Sequence, residues 1–315
     1  MVPCRARGFP GQCGDGLTGT IAAKTGVAGY RPGFWQCFNP AIYLISILPG
    51  AGVWMIAGVH DANWLTSLAS ATLAVVLLQH AINLLNDASD WVLGADTEKL
   101  DSWVRFHRQN IRVTMVHGWI SFLLGGLLGL TVLVLADSLW ILAVAMPLLI
   151  LGYLYNSGPY PLSYTHLGEW VTGVCYGPGV FGCLWLLSGE AIDVRAVMGA
   201  IAFAALAVSL LLSHQPPQIE TDRLAGKQSF AVRYGVRRTR QGVYLLFMVF
   251  LLGCGVALWA GDNNPLVLPV FAGMSLLALL VVSRLPLKPA TVLLPSTLVL
   301  LATLLAGLIE NTGLI

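Results

Sequence analysis

Charged residues make up only 10% of this 315-residue chain, against 57% hydrophobic, and the mean hydropathy is +0.76. That balance excludes a soluble domain. Cysteine is sparse as well as scattered: Cys37, Cys175, Cys183 and Cys254 fall in apolar segments, and Cys4 and Cys13 lie near the N-terminus. With no CxxC pair and no Cys/His cluster at zinc spacing, neither a disulfide framework nor a zinc site is expected. No basic tract interleaved with aromatics appears, so nucleic acid is not an expected partner. The first 30 residues carry Arg5, Arg7 and many glycines but no continuous apolar core, which excludes an ordinary cleavable signal peptide. Residues 1–30 read as a flexible, positively charged cytoplasmic tail, and residues 31–315 as a single membrane domain.

What the chain does have is long apolar runs. At ~20 residues of helix per bilayer crossing, nine are expected, near 36–58, 64–86, 113–136, 138–156, 168–188, 196–213, 241–260, 266–283 and 290–309. The fold class is therefore all-α, a polytopic bundle of nine transmembrane helices embedded in the lipid bilayer. Interior prolines such as Pro40, Pro49 and Pro178 are tolerable where neighbouring helices satisfy the freed carbonyls. An odd number of spans puts the termini on opposite sides. Placing the N-terminus in the cytoplasm puts every lysine and arginine except Arg195 on that side, as positively charged cytoplasmic loops require. The expected location is the inner (cytoplasmic) membrane, with the long polar loops after the second and sixth spans facing the cytoplasm.

The first of those loops begins in residues 83–101, where Asn86, Asp87, Asp90, Asp96, Glu98 and Asp101 crowd the end of an apolar run. Carboxylates at a bilayer edge are expensive. Asn86 and Asp90 are four apart and share a helix face; Gly94 marks a helix end from which Asp96 returns. Oxygen ligands gathered in this way suit Mg2+, which bridges a few carboxylates to substrate phosphates. A solvated loop flanking a membrane helix would carry similar acids.

The second loop, residues 214–240, argues for the metal. Gln218 and Asp222 repeat the four-residue spacing, with Arg223 and Lys227 beside them. Acids for a cation and bases for an anion within a few residues point to a metal-bound diphosphate, with arginine suited to grip phosphate oxygens.

These residues resemble the UbiA-type intramembrane prenyltransferases. Asn86-Asp87-Ala88-Ser89-Asp90 followed by Gly94-Ala95-Asp96 is similar to the NDxxDxxxGxD form of the branch that prenylates 1,4-dihydroxy-2-naphthoate in menaquinone synthesis. Arg31-Pro32, Tyr155 with Gly158-Pro159-Tyr160-Pro161-Leu162, Leu167-Gly168-Glu169, Gly177-Pro178, Asp222-Arg223, Gly226-Lys227 and Ala231-Val232-Arg233-Tyr234-Gly235 extend the resemblance over most of the chain. The second motif departs from the family's N-x-x-R-D-x-x-x-D pattern. His214, Pro217 and Gln218 stand at its earlier positions, and only Asp222 is kept.

The resemblance implies Mg2+-dependent transfer of a prenyl group from an allylic prenyl diphosphate to an aromatic acceptor in quinone biosynthesis. It assigns Asn86, Asp87, Asp90 and Asp96 to one ion and Asp222 with Gln218 to a second, with Asp90, Asp96 and Asp222 as the catalytic set. Lys99, Arg223 and Lys227 are expected to hold diphosphate, and Tyr155 and Asn156 to line the site near the allylic cation, although Tyr155 also fits an interfacial aromatic belt. His214 is left with three roles: accepting the ring proton, replacing the family's asparagine at the metal, or capping a helix. The departures at Gln218 and Pro217 also fit an alternative, a weakened homologue or carrier that binds an isoprenoid diphosphate without transferring it.

Overall fold

The computed structural model describes residues 30–58, 61–94, 99–156, 161–261 and 265–311. Among them there is no strand, and nine helices are long and apolar enough to cross a membrane. They are α1 (Phe34–Ala57), α2 (Ala62–Leu93), α3 (Ile111–Leu135), α4 (Leu139–Asn156), α5 (Gly168–Leu187), α6 (Val194–His214), α7 (Phe230–Trp259), α8 (Val267–Arg284) and α9 (Pro289–Glu310).

Two spans differ from the expected ones in ways that matter to the site. α2 runs to Leu93 rather than 86, so Asp87 and Asp90 lie within the helix, and Gly94 caps it in the left-handed region at φ 84° with its N–H turned back to Asp90 and Trp91 carbonyls. α7 begins at Phe230 rather than 241, with a non-helical break at Gly235 (φ 77°) in its arginine-rich first turns. α1 is broken as well: Asn39 adopts a left-handed conformation (φ 42°) before Pro40 opens a short 3-10 turn that carries Tyr43.

α6 is the central helix and mostly buried, whereas α4 is peripheral. Small residues let α6 approach its neighbours closely, as membrane helices generally require. A Cβ at Gly199 would collide with the Phe181 ring, and one at Gly52 with Phe203. Phe181 stacks on Phe203 at 5.2 Å between centroids, which in turn meets Phe250 edge-on, tying α5, α6 and α7 together. Midway along α5, residues Cys175–Phe181 form a π-helical turn around Pro178. The missing proline N–H and the wider turn go together, and Cys175, Tyr176 and Gly179 of that turn face the cavity described next.

Candidate active site

The C-terminal ends of α2, α4 and α6 and the N-terminal ends of α5 and α7 meet at one end of the bundle, around the mouth of a cavity of about 640 Å3. Below the mouth its wall is apolar, passing Leu78, Val132, Leu149 and Leu187 toward the opposite end of the bundle. A volume of this size fits a medium-sized ligand. Its lining, charged at the mouth and apolar below, suits an amphiphile with a charged head and an apolar tail.

Helical register puts Asn83, Asn86, Asp87 and Asp90 on one face of α2, and all four line the cavity. Asp90 is 2% exposed and well partnered: Tyr164 donates its hydroxyl to Oδ1 at 2.8 Å, and Asn86 donates Nδ2 to Oδ2 at 3.2 Å. Lys227 Nζ stands 3.5 Å from the same Oδ2 and 5.2 Å above the Tyr164 ring. Lys227 thereby links the second polar stretch to the first. Gly226, at φ 78°, permits the turn that brings it there.

Asp222 sits on a short helix, Ile219–Leu224, and is 5% exposed, with Oδ2 accepting from Ser229 Oγ at 2.9 Å. Gln218 and His214 also line the cavity; His214 Nδ1 lies 3.3 Å from the Leu210 carbonyl, so it binds the last turn of its own helix. Glu169, in the first turn of α5, clasps this end of the site. Its Oε1 accepts from the Phe230 backbone N–H at 2.6 Å and Gln215 Nε2 at 3.2 Å, and Oε2 meets Arg233 at 3.5 Å. One buried carboxylate thus satisfies an otherwise orphaned N–H at the start of α7 and fixes α5 to it.

Other expected residues are placed differently. Asp87 and Lys99 both line the cavity but are paired, at 2.7 Å, and Asp87 Oδ2 also accepts the Trp103 N–H at 2.7 Å. That arrangement fastens the returning loop to α2. Arg223 does not line the cavity; about 100° round the helix from Asp222, it is exposed and pairs with Glu220 one turn back at 3.2 Å. Asp96 lies outside the described residues, as do Gly158, Pro159 and Tyr160.

Tyr155 and Asn156, at the end of α4, line the cavity. Asn156 is 4% exposed and donates Nδ2 to the Ile82 carbonyl at 3.4 Å, while its Oδ1 and the buried Ser163 Oγ, also in the cavity wall, have no hydrogen-bond partner. Buried polar atoms left unpaired are costly, so this part of the wall is built to meet a polar ligand. The sequence reading did not single out Tyr164, Ser229 or the clasp by Glu169; the motif containing Glu169 was its only signal.

Two buried carboxylates and a lysine thus stand at the mouth of an apolar cavity within a bundle that has nine membrane-length helices among the described residues. Residues 43–308 match the UbiA prenyltransferase family, and the chain belongs to it. Among its relatives is a 1,4-dihydroxy-2-naphthoate octaprenyltransferase of Mycobacterium tuberculosis, 31% identical over 73% of this chain and 75% of that one. Another is a 2-carboxy-1,4-naphthoquinone phytyltransferase of Synechocystis, 25% identical over 70% of this chain and 74% of that one. The fold matches that of a UbiA homologue of Archaeoglobus fulgidus solved with geranyl diphosphate (GPP) and Mg2+ at a TM-score of 0.59, with 16% identity, covering 86% of this chain and 98% of that one.

Proposed function

We propose that this protein transfers a prenyl group from an allylic prenyl diphosphate to an aromatic acceptor of the 1,4-dihydroxy-2-naphthoate class, a step in quinone biosynthesis. The observation that carries the reading is the convergence of buried Asp90 and Asp222 with Lys227 on the polar mouth of an apolar cavity. The naphthoate prenyltransferases among its relatives support the acceptor class.

The donor set fits Mg2+. No three His, Cys, Asp or Glu side chains among the described residues form a complete cage. Mg2+ needs none, since it takes one or two carboxylates and completes its shell with water and substrate phosphates. Asp90 with Asn86, and Asp222 with Gln218, are the residues that would hold it, and Asp96 belongs to the same assignment. When bound, the ion neutralises charge on the departing diphosphate.

The protein's own groups do the rest. Lys227 binds diphosphate oxygens at the mouth and, fixed over the Tyr164 ring, stabilises the leaving group as charge develops there. Lys99, held by Asp87, adds positive potential at the same rim. The apolar tunnel takes the isoprenoid chain and excludes water from the allylic cation. Tyr155 presents its ring to that cation, and Asn156 Oδ1 and Ser163 Oγ receive one of the acceptor's polar groups. His214 caps α6.

The mouth faces the cytoplasm on this reading, and the membrane is the inner one. Arg195, the sole lysine or arginine at the opposite end among the described residues, is paired with Glu190 at 2.7 Å and Asp193 at 2.8 Å, while the other described lysines and arginines lie toward the mouth side.

The test is transfer of radiolabelled prenyl diphosphate in membranes containing the protein, with 1,4-dihydroxy-2-naphthoate or 4-hydroxybenzoate, with Mg2+ or chelator. Chelator-sensitive prenylated naphthoate is expected. Mg2+-dependent diphosphate binding with no product from either acceptor would overturn the reading in favour of a carrier.

A further inference from the structure

Three of the six histidines in the chain stand in one file that the site above does not use. It begins at Tyr43, which lines the cavity and whose hydroxyl lies 2.6 Å from His80 Nδ1. His80 Nε2 on α2 is 3.5 Å from His117 Nε2 on α3, and His117 Nδ1 is 3.2 Å from His107 Nε2 in the loop between them. His107 is followed by Arg108, Gln109 and Asn110, all exposed, so the file ends at the aqueous surface.

His80 and His117 each use one ring nitrogen toward one neighbour and the other nitrogen toward the next. That geometry makes a wire. A metal site would need the nitrogens to converge on one point, and no such group occurs among the described residues. The polarity is consistent from end to end. If Tyr43 O–H donates to His80 Nδ1, neutral imidazoles continue the direction: His80 Nε2–H to His117 Nε2, and His117 Nδ1–H to His107 Nε2. His107 Nδ1–H is then left at the outer end.

The Trp103 ring packs edge-on against His80 at 5.2 Å and His117 at 5.4 Å, and stacks along His107 at 6.3 Å; Phe38 covers His80 and Phe106 covers His107. Aromatic rings thus flank the partly buried file along its length. The charged groups facing it are few: Asp87 toward Tyr43, and Arg31, whose guanidinium lies over the Phe106 ring, toward His107. Burial, then His117 and Arg31, push the His107 imidazole below its ordinary value. It is neutral at cytoplasmic pH and holds an extra proton only in passing.

We propose that Tyr43, His80, His117 and His107 form a proton relay that carries the acceptor's hydroxyl proton from the cavity to the cytoplasmic surface during prenyl transfer. The inference rests on the transfer reading above. As the ring carbon forms its bond to the allylic carbon, the allylic C–O bond breaks and its electron pair leaves on diphosphate. The acceptor O–H proton passes to the Tyr43 oxygen while the Tyr43 proton moves to His80 Nδ1, which leaves the alkylated ring as its keto form; the hydrogen on the substituted ring carbon then shifts to that oxygen and restores the aromatic ring. Each histidine in turn accepts on one nitrogen and releases from the other, and one proton leaves from His107.

The experiment compares single-turnover product formation by wild type, His107→Ala and His117→Gln in the full-length protein with radiolabelled allylic diphosphate and 1,4-dihydroxy-2-naphthoate. Diphosphate KM, melting temperature and the response to added imidazole are measured alongside. Both variants are expected to slow transfer by roughly tenfold or more, with KM unchanged. Imidazole in the buffer should restore His107→Ala, whose gap lies at the outer end of the file beside exposed Arg108 and Gln109. Rates within about twofold of wild type from pH 6 to pH 9, or a slow His107→Ala that imidazole does not restore, overturn the relay while wild-type turnover keeps the transfer reading intact. No product from wild type overturns both.

Discussion

Tyr164 donates its hydroxyl to Asp90 Oδ1 at 2.8 Å across 74 positions of sequence, and the same ring lies beneath Lys227 Nζ at 5.2 Å. One side chain therefore sets the orientation of both the carboxylate assigned to metal and the cation assigned to diphosphate. Tyr164→Phe keeps the ring and removes only the donor. Loss of a hydrogen bond to a charged group is worth about 1.5–3 kcal/mol, so turnover should fall by roughly tenfold or more, with little change in diphosphate binding. Turnover equal to wild type would mean that Asn86 and Lys227 suffice to hold Asp90.

Asp90→Ala should abolish transfer while leaving the protein in the membrane, because it removes from the mouth the carboxylate that Tyr164, Asn86 and Lys227 orient. Gln218 offers a neutral oxygen where an aspartate would bind a hard cation more strongly. Gln218→Asp is therefore expected to preserve or raise activity and to lower the Mg2+ concentration needed for half-maximal rate. A large loss in a Mg2+ titration of this variant would show that position 218 serves something other than metal.

The bundle was legible because crossing a bilayer forces runs of apolar residues long enough to count. α6, expected at 196–213, is Val194–His214. The spans that differed are those whose ends leave the hydrocarbon: hydropathy cannot see the last turns of α2, where Asp87 and Asp90 are neutralised by tertiary partners, or the arginine-bearing first turns of α7. The four-residue spacings of Asn86 with Asp90 and of Gln218 with Asp222 did place these residues on one cavity. Arg223 was expected at the diphosphate from its place beside Asp222, but successive residues on a helix point about 100° apart, and in the structure it is exposed and paired with Glu220. Tyr164 and the histidine file left no local pattern, since the Tyr164–Asp90, Tyr43–His80 and His80–His117 contacts join elements far apart in the chain.

Glu169 illustrates the cost of such long-range contacts. It is 9% exposed and holds Phe230 N–H, Gln215 and Arg233 at once. Glu169→Ala leaves all three without their acceptor, and a loss of about 2–4 kcal/mol is expected. Thermal unfolding in detergent should show a clear fall in melting temperature. Glu169→Gln, which still accepts from Phe230, should lose less, and equal losses would place the importance on charge rather than on the clasp.

The packing of α5 on α6 gives a prediction independent of the chemistry. Gly199 lies against the Phe181 ring, itself fully buried and stacked on Phe203. Gly199→Ala forces the ring to move within a close-packed interface, at a cost of about 1–3 kcal/mol. Pairing it with Phe181→Leu should recover part of the loss, and a double-mutant cycle in thermal unfolding measures the coupling. Strict additivity would mean that the two helices adjust elsewhere.

Acid should weaken the protein through the outer end of the histidine file. Burial, His117 and Arg31 hold the folded-state pKa of His107 below its ordinary value. Between that depressed pKa and an unfolded value of about 6.5, the unfolded chain binds a proton that the folded chain does not. Stability therefore falls as pH drops below about 6.5 and levels off once folded His107 also titrates. Above that range the group contributes no pH dependence. His107→Gln keeps a polar side chain without a titrating one, so the difference in melting temperature between wild type and variant should shift in the variant's favour from pH 7.5 to pH 5.5. A difference that stays constant over that interval, or moves the other way, would show that His107 is not held neutral in the folded protein.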